Sequence, residues 1–445
     1  MQDKNKNSSS FYLLSLGCPK NLADSEKLTG TLRLAGLEQA SGPEDAGTLI
    51  VNTCGFIEAA KQESIEEILN LARLKGKKKN KKLLVFGCLA QRYKEELKKE
   101  LPEVDAIWGV DAAAEIAGYL AKGVQPENGF FRLRKEKLPV FRPSTFPYAY
   151  LKISEGCKRR CSFCSIPLIR GPLRNFAPDE ILKEASGLLK TGIKEIIVVS
   201  QDTASYKFKD YGLKELVKDI CSLPGDFWVR LHYLHPSGVD EKLLDVMAGQ
   251  KKVVKYLDMP LQHSEPGILK LMGRGVHGRK SFGRLIAYAR QAMPGLAVRS
   301  SFIVGFPGET KADAEGLIDF IRQTGFEHAG AFIYSREDGT AAAKLQGQLS
   351  TAVKQKRYDQ FMSAQAEISL EKNKALIGRR MKAIVDEVDG KTALCRLASQ
   401  APEVDGVVFL DGVSMEEEKG IKPGGFVRVL ITEAYDYDLK GELVK

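Results

Sequence analysis

Three apolar, β-rich runs open the chain, FYLLSLGC, TLIVNTCG and KLLVFGC, and each runs into a glycine-bearing turn. Helical spacing fills the gaps, notably over Glu58–Lys75 and Gln91–Leu101. Strands alternating with helices predict an α/β domain with a parallel sheet over residues 10–128. The stretch KLPVFRPSTFP, with Pro139, Pro143 and Pro147, suits an extended linker over 129–147.

From Tyr148 the alternation resumes. The strand-like runs are YAYLKIS, KEIIVVS, FWVRLHY, VKYLDMP, AVRSSFIVG and FEHAGAFIY, each followed by a helical pattern such as Asp179–Lys190 or Lys311–Thr324. Repeated βα units predict a barrel over 148–375, and six units instead of eight make it a partial (β/α)6 barrel. A long helical segment, Thr351–Ala375, closes it. The tail, 376–445, changes period: MKAIVDEV–DG–KTALCRL is a hairpin signature, and GVVFL, GFVRVLITEA and YDYDLKGELV follow. Five short strands predict a small OB-like β-barrel.

Composition narrows the class. A hydrophobic content of 43% supports buried cores, and 445 residues suit about three domains. The N-terminus MQDKNKNSSS has no apolar core, and no apolar run reaches the roughly 20 residues of a membrane helix, so a soluble cytoplasmic protein with no membrane partner is expected. In that compartment the eight cysteines are reduced, which favours metal or catalytic roles over disulfides. A net charge of +10 leans toward a polyanionic or ribonucleoprotein partner. The lysine run Lys77–Lys82 is read as a solvated loop in preference to an RNA contact.

The strongest chemical signal is EGCKRRCSFCSIP. Cys157, Cys161 and Cys164 form a C-x3-C-x2-C cluster directly after the first barrel strand, where βα barrels carry their chemistry. Three thiolates can ligate three irons of a [4Fe–4S] cluster and leave the fourth iron open for a substrate or cofactor. Structural zinc is the alternative, but it takes four ligands, and no fourth Cys or His lies near. Cys18, Cys54 and Cys88 are a second constellation. Each ends a predicted strand and touches a glycine, so three turns along one sheet edge can deliver three thiols to one point. The bland reading of each is a small buried hydrophobe. Cys221 and Cys395 fall within a helix and a strand and are read as core.

The first cluster, with Phe163 before its last cysteine, resembles the radical S-adenosylmethionine (SAM) superfamily. The whole arrangement over residues 10–445 is similar to the methylthiotransferase family within it. The resemblance implies a radical SAM barrel with a C-terminal TRAM-like module, and two [4Fe–4S] clusters plus SAM as cofactors. It makes Cys157, Cys161 and Cys164 the ligands of the radical-generating cluster, and Cys18, Cys54 and Cys88 those of a sulfur-delivering one. It places Phe163 near the adenine and implies Gln201, Arg299 and Ser301 on the SAM side. The runs VVSQDT, PLQH and RSSFIVGFPGET would line the mouth, with Glu309 and Thr310 opening a helix. His232, His235 and His263 are equally read as ordinary loop residues, and Arg159 and Arg160 as tuning the cluster, meeting a substrate carboxylate or facing solvent.

The family implies two substrates, an aspartate on small-subunit ribosomal protein S12 or an adenosine in transfer RNA. CKRRCSFCSIP, SQAPEVDG and EAYDYDLKG resemble the ribosomal-protein branch. The tail also carries 10 Lys and Arg against 13 Asp and Glu, which suits a basic protein better than phosphates. The expected reaction is conversion of an aspartate β-carbon C–H to C–S–CH3, by hydrogen abstraction, sulfur insertion and methyl transfer. Expected partners are protein S12, nearby ribosomal RNA, an electron donor such as flavodoxin or ferredoxin, and a sulfur source.

Overall fold

The computed structural model describes residues 10–77, 81–122, 146–275, 278–412 and 421–444. The linker assigned to 129–147 lies outside them except for its last two residues, and so do residues 78–80 of the lysine run. The described residues divide into two compact units. The first is the N-terminal domain with 155–158 and 164–174; the second holds 146–154, 159–163 and everything from 175 onward.

In the first unit, β1 (Ser10–Ser15), β2 (Glu38–Gln39), β3 (Thr48–Thr53), β4 (Lys82–Gly87) and β5 (Ala106–Ile107) form a parallel sheet in the order β2-β1-β3-β4-β5. Its central strands are apolar on both faces because helices cover both. Ile50 and Leu84 pack with Leu28 and Leu32 of α1 (Pro19–Leu34) and Ile116 of the C-terminal helix Ala113–Lys122. Leu49, Val51 and Val85 pack on the other face with Ile68 and Leu71 of α2 (Glu58–Lys77). The single helix predicted over Gln91–Leu101 is two: α3 (Cys88–Arg92) and α4 (Lys94–Glu100). Tyr93 breaks them, with φ −127° and ψ 36°.

The second unit contains six parallel strands: β6 (Tyr148–Lys152), β7 (Glu195–Val199), β8 (Trp228–Leu231), β9 (Tyr256–Asp258), β10 (Ala297–Val304) and β11 (His328–Ile333). They form two three-stranded sheets, β6-β7-β8 and β9-β10-β11, joined by a parallel bridge between Val229 and Val253. Each strand is followed by a helix, and the last helix is Thr351–Lys374. This is the partial (β/α)6 barrel that the strand count predicts. In the tail, β12 (Arg380–Asp389), β13 (Thr392–Leu397), β14 (Val408–Asp411), β15 (Phe426–Ala434) and β16 (Leu439–Leu443) close into a barrel in the order β12-β13-β14-β16-β15. Bulges at Val385/Glu387 and Ile431/Glu433 supply the bending that closure needs. The hairpin turn is one residue later than the Asp-Gly pair suggests: Asp389 pairs with Thr392, so Gly390 (φ +57°) and Lys391 are the loop.

The tail and the (β/α)6 barrel share one unit because charged and aromatic side chains lock them together near the N-terminal ends of the barrel strands. Glu195 accepts from Arg230 Nε at 2.7 Å and from Arg396 at 2.8 Å, with all three side chains buried. Glu403 accepts from the phenols of Tyr148 (2.8 Å) and Tyr150 (3.3 Å). Asp405 accepts from Tyr256 at 2.6 Å and pairs with Arg299. Trp228 packs on Phe426, with ring centroids 5.1 Å apart. The segment Ser399–Gly406 thus reaches the base of the barrel with both of its carboxylates.

Candidate functional site

β1, β3 and β4 are neighbours, so their C-terminal ends lie side by side, and Cys18, Cys54 and Cys88 follow those ends directly or within three residues. Glycines let the turns touch. Gly17 has φ +87°, and a Cβ there would lie 2.7 Å from Cys54 Cβ and 2.8 Å from its Sγ. A Cβ on Gly55 would lie 2.7 Å from Leu89 Cα and 3.1 Å from the Cys88 carbonyl carbon. The Cys18 turn therefore abuts Cys54, and the Cys54 turn abuts Cys88. The Ser64 hydroxyl brackets Cys54, accepting from its N–H and donating to its carbonyl, each at 3.0 Å.

Two residues outside the predicted set organise these turns. Asn21, fully buried, donates from Nδ2 to the carbonyls of Leu16 and Thr53 at 3.0 Å each. Arg170, on the short helix Ile166–Arg170 that follows Cys164, donates from Nη2 to Asn21 Oδ1 at 2.6 Å and to Cys88 Sγ at 3.2 Å. Its Nη1 donates to Asp24 at 2.8 Å and Glu155 at 3.1 Å. Burial alone would lower the Arg170 pKa, but the carboxylates of Asp24 and Glu155 outweigh it and hold the guanidinium charged. Burial pushes the Cys88 thiol up to about 12 against the pull of Arg170, and raises Cys54 as well. Metal binding to such thiols would release their protons. Asp24, Asp111 and Glu155 are also spaced for a metal ion, but Arg170 and Arg174 occupy their carboxylates.

The C-x3-C-x2-C segment begins at Gly156 (φ +73°), where a Cβ would fall 2.2 Å from the Pro172 carbonyl oxygen. The N–H of Cys157 donates to Gly171 O at 3.2 Å. Cys161 receives Arg274 Nη1 at 3.7 Å; that guanidinium also donates to Pro260 O at 2.6 Å, while its buried Nε has no partner among the described residues. Phe163 is half-buried beside Ser162, whose hydroxyl donates to Leu271 O at 2.7 Å. Arg159 donates to Asp202 at 2.7 Å, and Arg160 is exposed. Cys54 and Cys88 are buried among close-packed turns and Cys18 is half-buried. Soft sulfur donors in threes, with Arg170 donating to Cys88 and Arg274 to Cys161, have the chemistry that fits an iron–sulfur cluster.

The remaining predicted residues separate. Gln201 follows the C-terminal end of β7, half-buried. Ser301 sits within β10, its carbonyl accepting from the Gln262 N–H at 2.8 Å. Arg299 is spent elsewhere: it lies two residues earlier, and its guanidinium pairs with Asp405 at the barrel base. Glu309 does not open a helix. Its buried carboxylate folds back onto the amides of Gly305 (2.8 Å) and Phe306 (3.2 Å), and Thr310 caps the helix Lys311–Thr324. His235 and His263 accept backbone N–H groups two residues on, and His232 stacks on Tyr256. Cys221 and Cys395 are buried in a helix and a strand. Asn21, Arg170 and Arg274 carried only a weak sequence signal: each stands beside or within three residues of a cysteine or glycine turn.

Comparison with known proteins matches this anatomy. Residues 10–109 match the uncharacterized protein family UPF0004, residues 151–321 the radical SAM superfamily and residues 377–444 the TRAM domain. Fold and cysteine pattern together define a radical SAM enzyme of the transferase kind. The ribosomal protein uS12 methylthiotransferase RimO of Thermodesulfovibrio yellowstonii is 47% identical over 436 residues, covering 98% of this chain and 99% of that one. RimO of Thermotoga maritima is 43% identical, covering 96% and 98%. The chain belongs to the RimO family of radical SAM methylthiotransferases. The radical SAM methyltransferase TsrM from Kitasatospora setae shares the fold, with a TM-score of 0.55 at 16% identity over 86% of this chain and 79% of that one.

Proposed function

We propose that this chain methylthiolates the β-carbon of an aspartate on ribosomal protein uS12, with two [4Fe–4S] clusters and SAM as cofactors. The observation that carries the reading is the end-to-end match to RimO relatives, over 98% of this chain in the case of the Thermodesulfovibrio protein. The chemistry asks for such machinery, because a β-carbon C–H is far too weakly acidic for any side-chain base. When bound, the cofactors supply the one-electron cleavage of SAM, the sulfur and the methyl group.

Cys157, Cys161 and Cys164 hold the radical-generating cluster, with Arg274 as donor to Cys161. Cys18, Cys54 and Cys88 hold the sulfur-presenting cluster, their turns fixed by Asn21 and Ser64. Gln201 and Ser301, with Phe163, remain on the SAM side; Arg299 fixes the barrel base instead. The tail offers an exposed acidic and aromatic turn, Tyr435, Asp436 and Tyr437, suited to a basic ribosomal protein. Flavodoxin or ferredoxin as electron donor, a sulfur source and contact with nearby ribosomal RNA complete the partners. A ribosomal substrate places the enzyme's work in the cytoplasm; no described helix is long and apolar enough to cross a membrane.

An anaerobic assay with reconstituted enzyme, SAM, reductant and purified uS12, read by peptide mass spectrometry, tests this. Methylthioaspartate is the expected product. A methylthiolated tRNA adenosine beside unmodified uS12 would move the chain to the tRNA branch. Zinc without sulfide in the purified protein would remove the enzyme reading altogether.

A further inference from the structure

Arg170 is unusual in what it touches. Its side chain is only 2% exposed, and long charged side chains are buried this far only when paired. Two carboxylates, Asp24 and Glu155, take Nη1. The other nitrogen, Nη2, is divided between Asn21 Oδ1 and the sulfur of Cys88. Ion pairing alone needs neither of those contacts. Asn21 in turn ties the carbonyls of Leu16 and Thr53, the residues two before Cys18 and one before Cys54. One guanidinium therefore reaches all three cysteine turns: Cys88 directly, the other two through a single amide.

The backbone beside Arg170 is engaged as well. Gly171, its neighbour, has φ +73° and accepts the N–H of Cys157 at 3.2 Å. The dipeptide Arg170-Gly171 thus holds one cysteine of each set, Cys88 by its side chain and Cys157 by its carbonyl, and all these residues belong to the first compact unit.

We propose that Arg170 is a positioning residue for the Cys18–Cys54–Cys88 site, setting the geometry of its three turns and the reduction potential of the cluster they hold. The proposal rests on the reading that this triad binds a cluster. Hydrogen bonds to cluster sulfurs and nearby positive charge favour the reduced, more negative state and raise the potential. Removing Arg170 deletes an N–H···S bond and also takes the guanidinium charge away from two nearby carboxylates, Asp24 and Glu155. Both effects act in the same direction, toward a more negative potential.

The test uses the full chain with Cys157, Cys161 and Cys164 changed to Ala, so that only the N-terminal triad can bind iron. After anaerobic reconstitution, iron and sulfide are counted and a redox titration is followed by electron paramagnetic resonance. About four irons are expected in this parent; none would overturn the reading of the triad itself, independently of Arg170. On that background R170M is expected to shift the potential negative and change the resonance, or to lose the cluster in a chain that still melts like the parent. R170M/D24N/E155Q, which removes the buried charges together, is expected to show a smaller shift in the same direction. R170K keeps the charge but cannot bridge Asn21 and Cys88 at once, so it reads the positioning term if R170M fails to fold. Variants that keep about four irons with the parent's potential and resonance overturn the proposal.

Discussion

The phenol of Tyr256 donates to Asp405 at 2.6 Å, joining the first residue of a barrel strand to a loop of the tail. Asp405 also pairs with Arg299, lies 3.5 Å from His328 Nδ1 and accepts the Ala401 N–H at 2.8 Å. Burial by itself would raise its pKa, but His328, Arg299, the Tyr256 hydroxyl and the Ala401 amide outweigh it and bring the carboxyl down to about 2. A depressed carboxyl adds stability that is present above its unfolded value, near 4, and is lost as pH falls toward 2. Its share is about 2 kcal/mol. D405N is therefore expected to lower the urea midpoint at pH 7 and to flatten the loss between pH 4 and pH 2. Arg299, half-buried and still bonded to the Val404 carbonyl, also loses its counter-charge, which adds to the cost at pH 7. Urea melts of both proteins at pH 7, 4 and 3 check this; parallel acid limbs would show that Asp405 does not carry it.

Gly17 offers a sharper separation of fold from site. Ala at this position meets two penalties, a left-handed φ of +87° and a Cβ only 2.8 Å from the sulfur of Cys54. The backbone term is about 1 kcal/mol, small beside the displacement of a ligand. G17A is expected to keep its secondary structure while iron falls from about eight to about four per chain. Circular dichroism with iron and sulfide analysis decides; a full iron complement would mean that the turn has room to spare.

Much of this was legible before any coordinates. The six barrel strands and the five tail strands carry periods that a sequence displays directly, and the three glycine-flanked cysteines each mark a strand end. What was hidden depended on contacts far apart in the chain. Arg299 carries no local mark of its partner Asp405, 106 residues away. The SQAPEVDG segment resembles the ribosomal-protein branch, to which the relatives also assign the chain, but nothing local to it shows that Glu403 and Asp405 bond tyrosines and an arginine of the barrel. Gly406 is fixed for the same reason: a Cβ there would lie 1.9 Å from the Tyr437 carbonyl oxygen, so the two tail motifs pack on each other. Glu309 read as a helix opener because acidic residues favour that position, but two free amides of the Gly305–Phe306 turn compete for its carboxylate and win.

Arg274 gives a prediction at the other cysteine set. It is buried, donates to Cys161 Sγ, and its Nε has no partner among the described residues. Burial works against its charge, and Cys161 partly restores it. Replacing it with Met removes a hydrogen bond to Cys161, a proposed cluster ligand, and loss of such a bond typically costs 10- to 100-fold in metal affinity or activity. R274M is expected to lower 5′-deoxyadenosine formation by about tenfold or more while leaving the iron of the N-terminal triad in place. Product chromatography under anaerobic conditions, with iron analysis on the same samples, checks it; unchanged 5′-deoxyadenosine would assign Arg274 to packing alone.

The tail's acidity leads to a test that separates docking from chemistry. Asp436 is exposed between Tyr435 (49% exposed) and Tyr437 (47% exposed), in the turn that joins two strands of the tail barrel. Its neighbour Asp438 is structural, since Oδ1 accepts the Val407 N–H at 2.9 Å, so it is left untouched. A rim carboxylate facing a basic protein acts mainly on encounter, and its effect is screened by salt over a Debye length of about 8 Å at physiological ionic strength. D436K is therefore expected to raise KM for uS12 several-fold at low salt, with kcat unchanged and the difference shrinking as salt is added. Uncoupled SAM cleavage without uS12 should not change, because the substitution lies in the tail turn and not among the cysteines. Steady-state kinetics at two salt concentrations decide the matter. A KM independent of both the charge and the salt would place uS12 recognition elsewhere on the molecule.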